Sequence, residues 1–265
     1  MILTVDRHVE GVALVTLSSE AAKNTFTSSN FDIFKKTIEN LMDDVTCLSI
    51  ILTGNGKFFS AGGPINEFAD AIDSGEISQM IGEMTESLHS LLIKIRTSPT
   101  VFIAAINGAA AGGGLGLALA MDYRIASTKA KFAASFFSLG LSPDGGTTWL
   151  LPRLVGTQKA KKFFFNNEIW NSQLALDNGA IDEICHEEDL ISRSFEIAKE
   201  WGKWAFLSRR STKQLLDAST STFFETQLEF ERALILSASL TDDFAEGVSA
   251  FMEKREPNFI HIEEE

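Results

Sequence analysis

Apolar residues recur along the first two thirds of the chain with two different periods. Short apolar runs bounded by turn residues predict strands, whereas apolar positions spaced three or four residues apart predict helices. The predicted strands occupy residues 2–5, 12–17, 48–53, 101–106, 123–127 and 131–134. The predicted helices among them occupy residues 31–42, 80–95 and 115–121. This alternation of strands and helices predicts an α/β core.

The last third of the chain has a different pattern. Strand-like runs become scarce beyond about Ser172, and residues 223–236 have a strong helical period. The large apolar side chains of that stretch are Phe223, Phe224, Leu228, Phe230 and Leu234. A lone pair of terminal helices does not easily bury so much apolar surface. We therefore predict a core over residues 1–205 and a helical oligomerisation region over residues 206–265, with a hinge near residues 202–211.

The composition is that of a globular protein, and its charge narrows the possible partners. The 265 residues are 45% hydrophobic and 22% charged, which suits one large core or two modest ones. A formal net charge of −13 argues against nucleic-acid binding, which requires a basic face for the phosphates. We see no signal segment, and no apolar run reaches the roughly 20 residues of a membrane helix. We therefore expect a cytoplasmic protein that does not enter a membrane, with Cys47 and Cys185 as reduced thiols.

Three glycine-rich segments contain the residues that suggest chemistry. The first, FFSAGG (58–63), follows a predicted strand, and its small residues let the backbone approach a ligand closely. The second, INGAAAGGGLGLALAMD (106–122), opens a helix after three glycines, where free N–H groups favour a developing anion. The third, LGLSPDGG (139–146), carries Asp144. A carbonyl activated by two N–H groups, with one carboxylate alongside, predicts proton transfer next to that carbonyl.

Each segment also fits a structural role when taken by itself. Residues 58–63 could form an ordinary tight turn, residues 112–114 a close contact of strand and helix, and residues 143–146 a turn. The four histidines are His8, His89, His186 and His261. They show neither metal-ligand spacing nor a nearby nucleophile pattern, so we expect surface or structural roles for them and no metal site.

Taken together, the segments resemble the crotonase superfamily, also called the enoyl-CoA hydratase/isomerase family. The similarity runs over residues 12–259. Its other supporting segments are SLGLSPDGGTTWLLPRLVG (138–156), LALDNGAIDEI (174–184) and EGVSAFMEKREPNF (246–259). The resemblance implies a crotonase-like spiral of ββα units with a helical C-terminal trimerisation region. It also implies a homotrimer or hexamer and an acyl-CoA ligand, so coenzyme A is part of the substrate and no separate cofactor is expected.

The resemblance assigns roles to the glycine segments position by position. The residue after Ala61 and Gly62 matches the first oxyanion donor of the family, which makes Gly63 that donor. The middle glycine of the triple matches the second donor, which is Gly113. Ala61, Gly62 and Gly112 are the substrate-binding neighbours that these matches imply.

Hydratases of this superfamily use two glutamates to add water. Their positions are occupied here by Gly116 and Phe136, and neither can act as acid or base, so two-glutamate hydration is disfavoured. Asp144 falls instead where other branches place a single acid. That acid is a glutamate in peroxisomal-type Δ3,Δ2-enoyl-CoA isomerases and an aspartate in the ring-epoxide isomerases of the phenylacetate pathway. SPDGGTTWLLPR (142–153) resembles the second group closely.

The resemblance thus implies an isomerase of fatty acid metabolism that moves a double bond from Δ3 to Δ2, with Asp144 as its base. Phe136 and Trp149 are expected to line an apolar acyl pocket. Phe251 and Lys254 lie in a segment whose family counterpart reaches the coenzyme A of a neighbouring subunit.

Four alternatives stay open. A ring-opening isomerase of an aromatic epoxide-CoA would use the same three residues. An aspartate at this position also serves as nucleophile in the related aryl-CoA dehalogenases. The others are an enoyl-CoA hydratase and a CoA-binding protein with little turnover, and the presence of both an oxyanion pair and an acid argues against the last.

Overall fold

The structure, a computed structural model, describes residues 1–8 and 10–259 of the chain. In those residues the strands are β1 (Leu3–His8), β2 (Val12–Leu17), β3 (Ser49–Gly54), β4 (Phe58–Ser60), β5 (Val101–Ile106), β6 (Ala109–Ala111), β7 (Tyr123–Ser127), β8 (Lys131–Ala133), β9 (Ile169–Asn171) and β10 (Glu183–Cys185). Six of them form one sheet in the order β1-β2-β3-β5-β7-β10. The other four form a second sheet in the order β4-β6-β8-β9.

Helices connect and cover the two sheets. They are α1 (Ser19–Lys23), α2 (Ser28–Asp43), α3 (Ile65–Ser74), α4 (Ile77–Thr97), α5 (Gly113–Leu119), α6 (Thr147–Val155), α7 (Thr157–Phe165), α8 (Ser172–Asp177), α9 (Leu190–Gly202), α10 (Phe206–Ser219), α11 (Phe224–Ala238) and α12 (Asp242–Glu253). Within the described ranges, none of these helices is both long and apolar enough to cross a membrane.

The middle of the chain repeats one unit three times. In each unit a strand of the six-stranded sheet is followed by a strand of the four-stranded sheet and then by a helix. The units are β3, β4 and α3, then β5, β6 and α5, and then β7, β8 and α6. Corresponding strands of successive units pair in parallel within each sheet. The predicted α/β fold with repeated ββα units is therefore confirmed.

Strands β3 and β5 divide the core into two clusters. All residues of both strands are buried, and alternate side chains of a strand point to opposite faces of the sheet. Ile50 and Phe102 belong to the larger cluster, whereas Ile51 and Ile103 pack with Ile197 of α9 in the smaller one. Because both faces are covered, the two strands appear in the sequence as uninterrupted apolar runs.

The predicted elements lie close to observed ones, whereas α3, α6 and α7 are not among the predicted helices and the glycine segments contain two further strands. Strands β2, β5 and β7 have the predicted bounds. The helix predicted over residues 115–121 begins earlier, at Gly113. Strands β4 and β6 have three residues each, and the sequence pattern does not predict them. A run of small residues such as Ala109–Ala111 has little strand propensity of its own.

Helix α10 is tied to the core by buried charged groups. Arg209 donates to the carbonyl oxygens of Leu48 at 2.9 Å and Pro99 at 2.7 Å, and Lys213 Nζ lies 2.5 Å from the Asp122 carboxylate. Burial raises the pKa of Asp122 and lowers that of Lys213, because desolvation disfavours both charges. The predicted boundary after residue 205 thus precedes a helix that still packs on the core, and the division into two regions stays a prediction.

Helices α11 and α12 pack much less closely. In the single described chain, α11 has no buried residue and α12 buries only Ala250. Phe224 and Leu228 of α11 are 73% and 45% exposed, and Phe251 of α12 is 83% exposed. The apolar faces of these two helices are therefore open to solvent in one chain.

Candidate active site

A cavity of about 450 Å³ lies where the three glycine segments meet. It is lined by Gly63 from the first segment, Gly113 from the second and Asp144 from the third. The large side chains of its apolar wall are those of Phe26, Ile65, Phe68, Ile81, Met84, Leu88, Phe136, Leu139 and Leu141. We call this space the glycine cavity. The fold therefore brings together three segments that are far apart along the chain.

The first segment leaves Gly63 with an unbonded N–H group. Just after β4, the N–H of Ala61 donates to the carbonyl oxygen of Ala22 at 2.8 Å. Gly62 then turns the chain with a φ of +92°, and a Cβ there would lie 2.8 Å from the carbonyl oxygen of Ala111. Glycine suits this turn because it has no Cβ. The N–H of Gly63 makes no hydrogen bond to any described residue.

The second segment presents the N–H group of Gly113 in a similar way. Gly112 adopts a φ of +55° and donates its N–H to the carbonyl oxygen of Ala133 at 3.2 Å. Helix α5 begins at Gly113, and the first N–H groups of a helix have no partner within it. No described residue outside the helix accepts from Gly113 either. Together with Gly63 this gives the cavity two unbonded N–H groups, which suits a carbonyl oxygen that gains negative charge.

Of the two positions that match the hydratase glutamates, one is closed to a carboxylate and the other is occupied by an aromatic ring. A Cβ on Gly116 would overlap the carbonyl oxygen of Gly145, so no larger residue fits unless the backbone moves. Phe136 is 9% exposed and belongs to the large core cluster. Among the described residues that line the glycine cavity, Asp144 is the single ionisable side chain.

Asp144 lies in the loop that precedes α6. Its carbonyl oxygen accepts hydrogen bonds from the N–H and the hydroxyl of Thr147, at 3.3 and 2.9 Å, and these bonds fix the backbone. Its Oδ1 lies 2.7 Å from Nε2 of His89, which is the one hydrogen-bond partner of the carboxylate among the described residues. The side chain of Asp144 is 31% exposed, so the carboxylate remains accessible from the cavity.

A second cavity, of about 470 Å³, shares Asp144 with the first. Its lining includes His89, Leu92, Ile93, Arg96, Pro143, Trp149 and Asp217. We call it the histidine cavity. Arg96 is paired with Asp217, and the guanidinium carbon of Arg153 lies 3.6 Å from the centre of the Trp149 ring. The charged side chains of this cavity are thus bonded to one another.

Helix α4 borders both cavities. The residues of α4 that line the glycine cavity are Ile81, Met84, Thr85 and Leu88. Those that line the histidine cavity are His89, Leu92, Ile93, Arg96 and Thr97. Spacings of three and four residues place each set on one face of the helix. The change from one cavity to the other falls between Leu88 and His89, beside Asp144.

Most of the predicted site residues meet at the glycine cavity. Those that line it are Ala61, Gly63, Gly112, Gly113, Phe136 and Asp144. Gly62 is buried beside them. Trp149 lines the histidine cavity instead, because its indole packs against Arg153. Phe251 lines a separate cavity between the C-terminal helices, and Lys254 is exposed at the end of α12.

His89 is a residue that the sequence does not reveal as part of the site. Its ring is half-exposed, which agrees with the expected surface or structural role, but it is also bonded to Asp144, a contact that the sequence does not predict. The two residues are 55 positions apart, so no local spacing indicates the pair. His261 lies outside the described residues. In the described part of the chain, no group of three or more potential metal ligands occurs.

A spiral of ββα units with a cavity between its glycine segments defines the class of crotonase-fold proteins. The family model described as enoyl-CoA hydratase/isomerase matches residues 7–261, and the chain belongs to this family. The chain is similar to the 1,2-epoxyphenylacetyl-CoA isomerase of Escherichia coli strain K12. The two are 32% identical over 254 residues, which cover 95% of this chain and 96% of that protein.

Two further comparisons span both reactions of the family. The trans-2-decenoyl-(acyl-carrier-protein) isomerase of Streptococcus mutans serotype c is 29% identical over 249 residues, 94% of each chain. The crystal structure of an enoyl-CoA hydratase from Bacillus anthracis superimposes with a TM-score of 0.90 at 27% identity, covering 99% of this chain and 100% of that one. Because the family includes both isomerases and hydratases, the reaction of this chain has to be inferred from the residues of its site.

Proposed function

We propose that the chain is an isomerase that moves the double bond of an acyl-CoA thioester from Δ3 to Δ2 by a 1,3-proton transfer. The observation that carries the proposal is that Asp144 is the single ionisable side chain among the described residues lining the glycine cavity. One carboxylate suffices to move a proton from one carbon to another. Addition of water, in the two-glutamate form known for this superfamily, requires a second acid.

In the proposed reaction the thioester carbonyl oxygen accepts hydrogen bonds from the N–H groups of Gly63 and Gly113. These bonds stabilise the enolate that forms when a proton leaves the carbon next to the carbonyl, and one such donor is worth ~3–4 kcal/mol of barrier. Asp144 takes that proton and returns it to the carbon two positions further along. The double bond then lies in conjugation with the carbonyl, and the carboxylate is regenerated.

The hydratase alternative meets two obstacles at the site. Gly116 lies against the carbonyl oxygen of Gly145, which leaves no space for a glutamate side chain. Phe136 occupies the other position and adds an apolar wall. These contacts support isomerisation over hydration.

A second candidate reaction is the ring-opening isomerisation of an aromatic epoxide-CoA. It would use the same oxyanion donors and the same aspartate. The similarity to a 1,2-epoxyphenylacetyl-CoA isomerase supports it, as do the three aromatic side chains of the cavity wall, Phe26, Phe68 and Phe136. Turnover of an aromatic epoxide-CoA but not of a 3-enoyl-CoA would favour this candidate.

The test of the proposed function compares the wild-type protein with Asp144→Asn on a 3-enoyl-CoA, followed by the appearance of the conjugated product. The substitution keeps the shape but removes the base, so we expect kcat to fall ~10²-fold or more. Binding of a saturated acyl-CoA should hardly change. Substitution of the exposed His186 by Gln is the control and should keep wild-type turnover.

Two outcomes would contradict the proposal. If Asp144→Asn keeps wild-type turnover, the aspartate is only a turn residue. If the wild-type protein binds acyl-CoA without converting any enoyl-CoA, the chain is a CoA-binding protein. Covalent capture of an aryl group on Asp144 would instead indicate the nucleophilic chemistry of the dehalogenase branch.

We also propose that the protein is a homotrimer or a dimer of trimers assembled through α11 and α12. The support is the exposed apolar surface of α11, which includes Phe224, Leu228, Phe230, Ile235 and Leu236. In such an assembly Phe251 and Lys254 would approach the coenzyme A bound to a neighbouring subunit. Light scattering should report three or six times the chain mass of 29.0 kDa. A stable monomer at micromolar concentration contradicts this proposal.

A further inference from the structure

His89 contacts Asp144 but does not line the glycine cavity, where the substrate is proposed to bind. It is the first residue of α4 that lines the histidine cavity, whereas Leu88 before it lines the glycine cavity. Its Nε2 lies 2.7 Å from Oδ1 of Asp144. The proposed reaction requires Asp144 as a carboxylate, which can only accept hydrogen bonds, so in that state the imidazole donates from Nε2.

We propose that His89 is a positioning residue that holds Oδ1 of Asp144 toward the histidine cavity and leaves Oδ2 to take and return the substrate proton. This inference rests on the proposed isomerase function and assigns it a further residue. A hydrogen bond with an ionised acceptor is stronger and shorter than a neutral one, and 2.7 Å falls in that range.

The carboxylate needs such a partner because its surroundings hold it weakly. Asp144 is followed by Gly145 and Gly146, whose φ angles are +62° and +72°. The bonds from Thr147 fix the carbonyl oxygen of Asp144 and not its side chain. With His89 removed, the carboxylate would have no hydrogen-bond partner among the described residues and could rotate about its side-chain bonds. Proton transfer requires the reacting atoms to be held within about 3–3.5 Å of one another.

The other charged groups of the histidine cavity do not compete for the imidazole. Arg96 donates two hydrogen bonds to Asp217, one from Nε to Oδ2 and one from Nη2 to Oδ1. Arg153 stacks on the Trp149 ring at 3.6 Å. The N–H of His89 is therefore directed to Asp144 alone among the described residues.

The experiment compares His89→Leu with His89→Gln on the same 3-enoyl-CoA. Leucine fills the space without a donor, whereas the glutamine amide can carry an N–H to a similar position. We expect kcat of His89→Leu to fall ~10-fold with KM changed less than ~2-fold, which is the scale of one hydrogen bond to a charged group. His89→Gln should recover most of that loss. His186→Gln, at an exposed residue that lines neither cavity, is the matched control.

The proposal is overturned if His89→Leu retains wild-type kcat, or if the Leu and Gln variants lose activity equally. A double-mutant cycle adds a second criterion. In the Asp144→Asn background the His89→Leu change should cause no further loss, because a positioning residue acts only through the group it holds. A full additional ~10-fold loss there would show that His89 acts independently of Asp144.

A measurement without substrate separates this inference from the proposed function. Nitrogen-15 NMR of labelled histidine should show the His89 hydrogen on Nε2 in the wild-type protein and a changed Nε2 signal in Asp144→Asn. A hydrogen on Nδ1 only would overturn the inference, whatever the reaction. If NMR shows the hydrogen on Nε2 but the protein does not turn over a 3-enoyl-CoA, the isomerase proposal is wrong. The His89–Asp144 hydrogen bond would then still be supported.

Discussion

The two cavities that meet at Asp144 have nearly the same volume, about 450 and 470 Å³, but they differ in the charged side chains that line them. The histidine cavity contains more charged side chains, and its cations and carboxylates are bonded to one another. The glycine cavity has one carboxylate and apolar walls, yet two of its N–H groups have no partner among the described residues. The pair of N–H groups from Gly63 and Gly113 beside a single carboxylate, and not the number of charges, therefore marks the side on which we propose that a carbonyl oxygen binds.

The largest expected effect tests the donors of the glycine cavity. In Gly113→Val the new side chain would meet the ring of Phe26, since even a Cβ would lie 2.7 Å from its nearest carbon. The displaced N–H should cost ~10²-fold in kcat. Steady-state kinetics with a 3-enoyl-CoA provide the measurement. Wild-type kcat in this variant would mean that the free N–H of Gly113 has no role in the reaction.

A smaller effect is expected at the apolar wall of the same cavity. Met84→Ala removes three heavy atoms from the half-buried surface that would contact the acyl chain. At ~0.8 kcal/mol per buried methylene, KM for a long-chain substrate should rise ~10-fold while kcat stays within about 2-fold. A short-chain substrate that does not reach Met84 serves as the control. An equal rise of KM for both substrates would place the acyl chain elsewhere.

The histidine cavity should respond differently. Trp149→Leu removes a ring that stacks with Arg153, an interaction of the cation–π type worth ~0.5–1 kcal/mol. We expect the free energy of unfolding in urea to fall by about 1 kcal/mol, with kcat changed less than ~2-fold. A loss of kcat as large as that expected for Gly113→Val would show that the histidine cavity also takes part in the reaction.

The smallest effect is expected at Gly82 of α4, the helix that both cavities share. A Cβ there would have no neighbour within 4 Å. Gly82→Ala should raise the free energy of unfolding by ~0.5–1 kcal/mol, because alanine loses less backbone entropy in a helix. Turnover should remain at the wild-type value. A change in kcat without any change in stability would indicate that the helix moves during the reaction.

The sequence predicts those features of the molecule that depend on residues close together along the chain. Strand β5 is apolar because both faces of the sheet are covered, and the pattern locates its ends. Gly62 and Gly112 are visible because their positive φ angles favour glycine. The His89–Asp144 pair has no such local cause, since it depends on how α4 packs against a loop 55 positions away. The location of Trp149 in the second cavity likewise depends on its packing against Arg153.

The contact between Gly116 and Gly145 also limits how this protein could change its chemistry during evolution. A carboxylate cannot be introduced at residue 116 by one substitution, because the carbonyl oxygen of Gly145 occupies the space of its Cβ. The loop would have to move first, and that loop also carries Asp144. Variants along such a route would lose the proposed proton transfer before they could gain hydration. A change from the proposed isomerisation to hydration would therefore pass through variants that catalyse neither reaction.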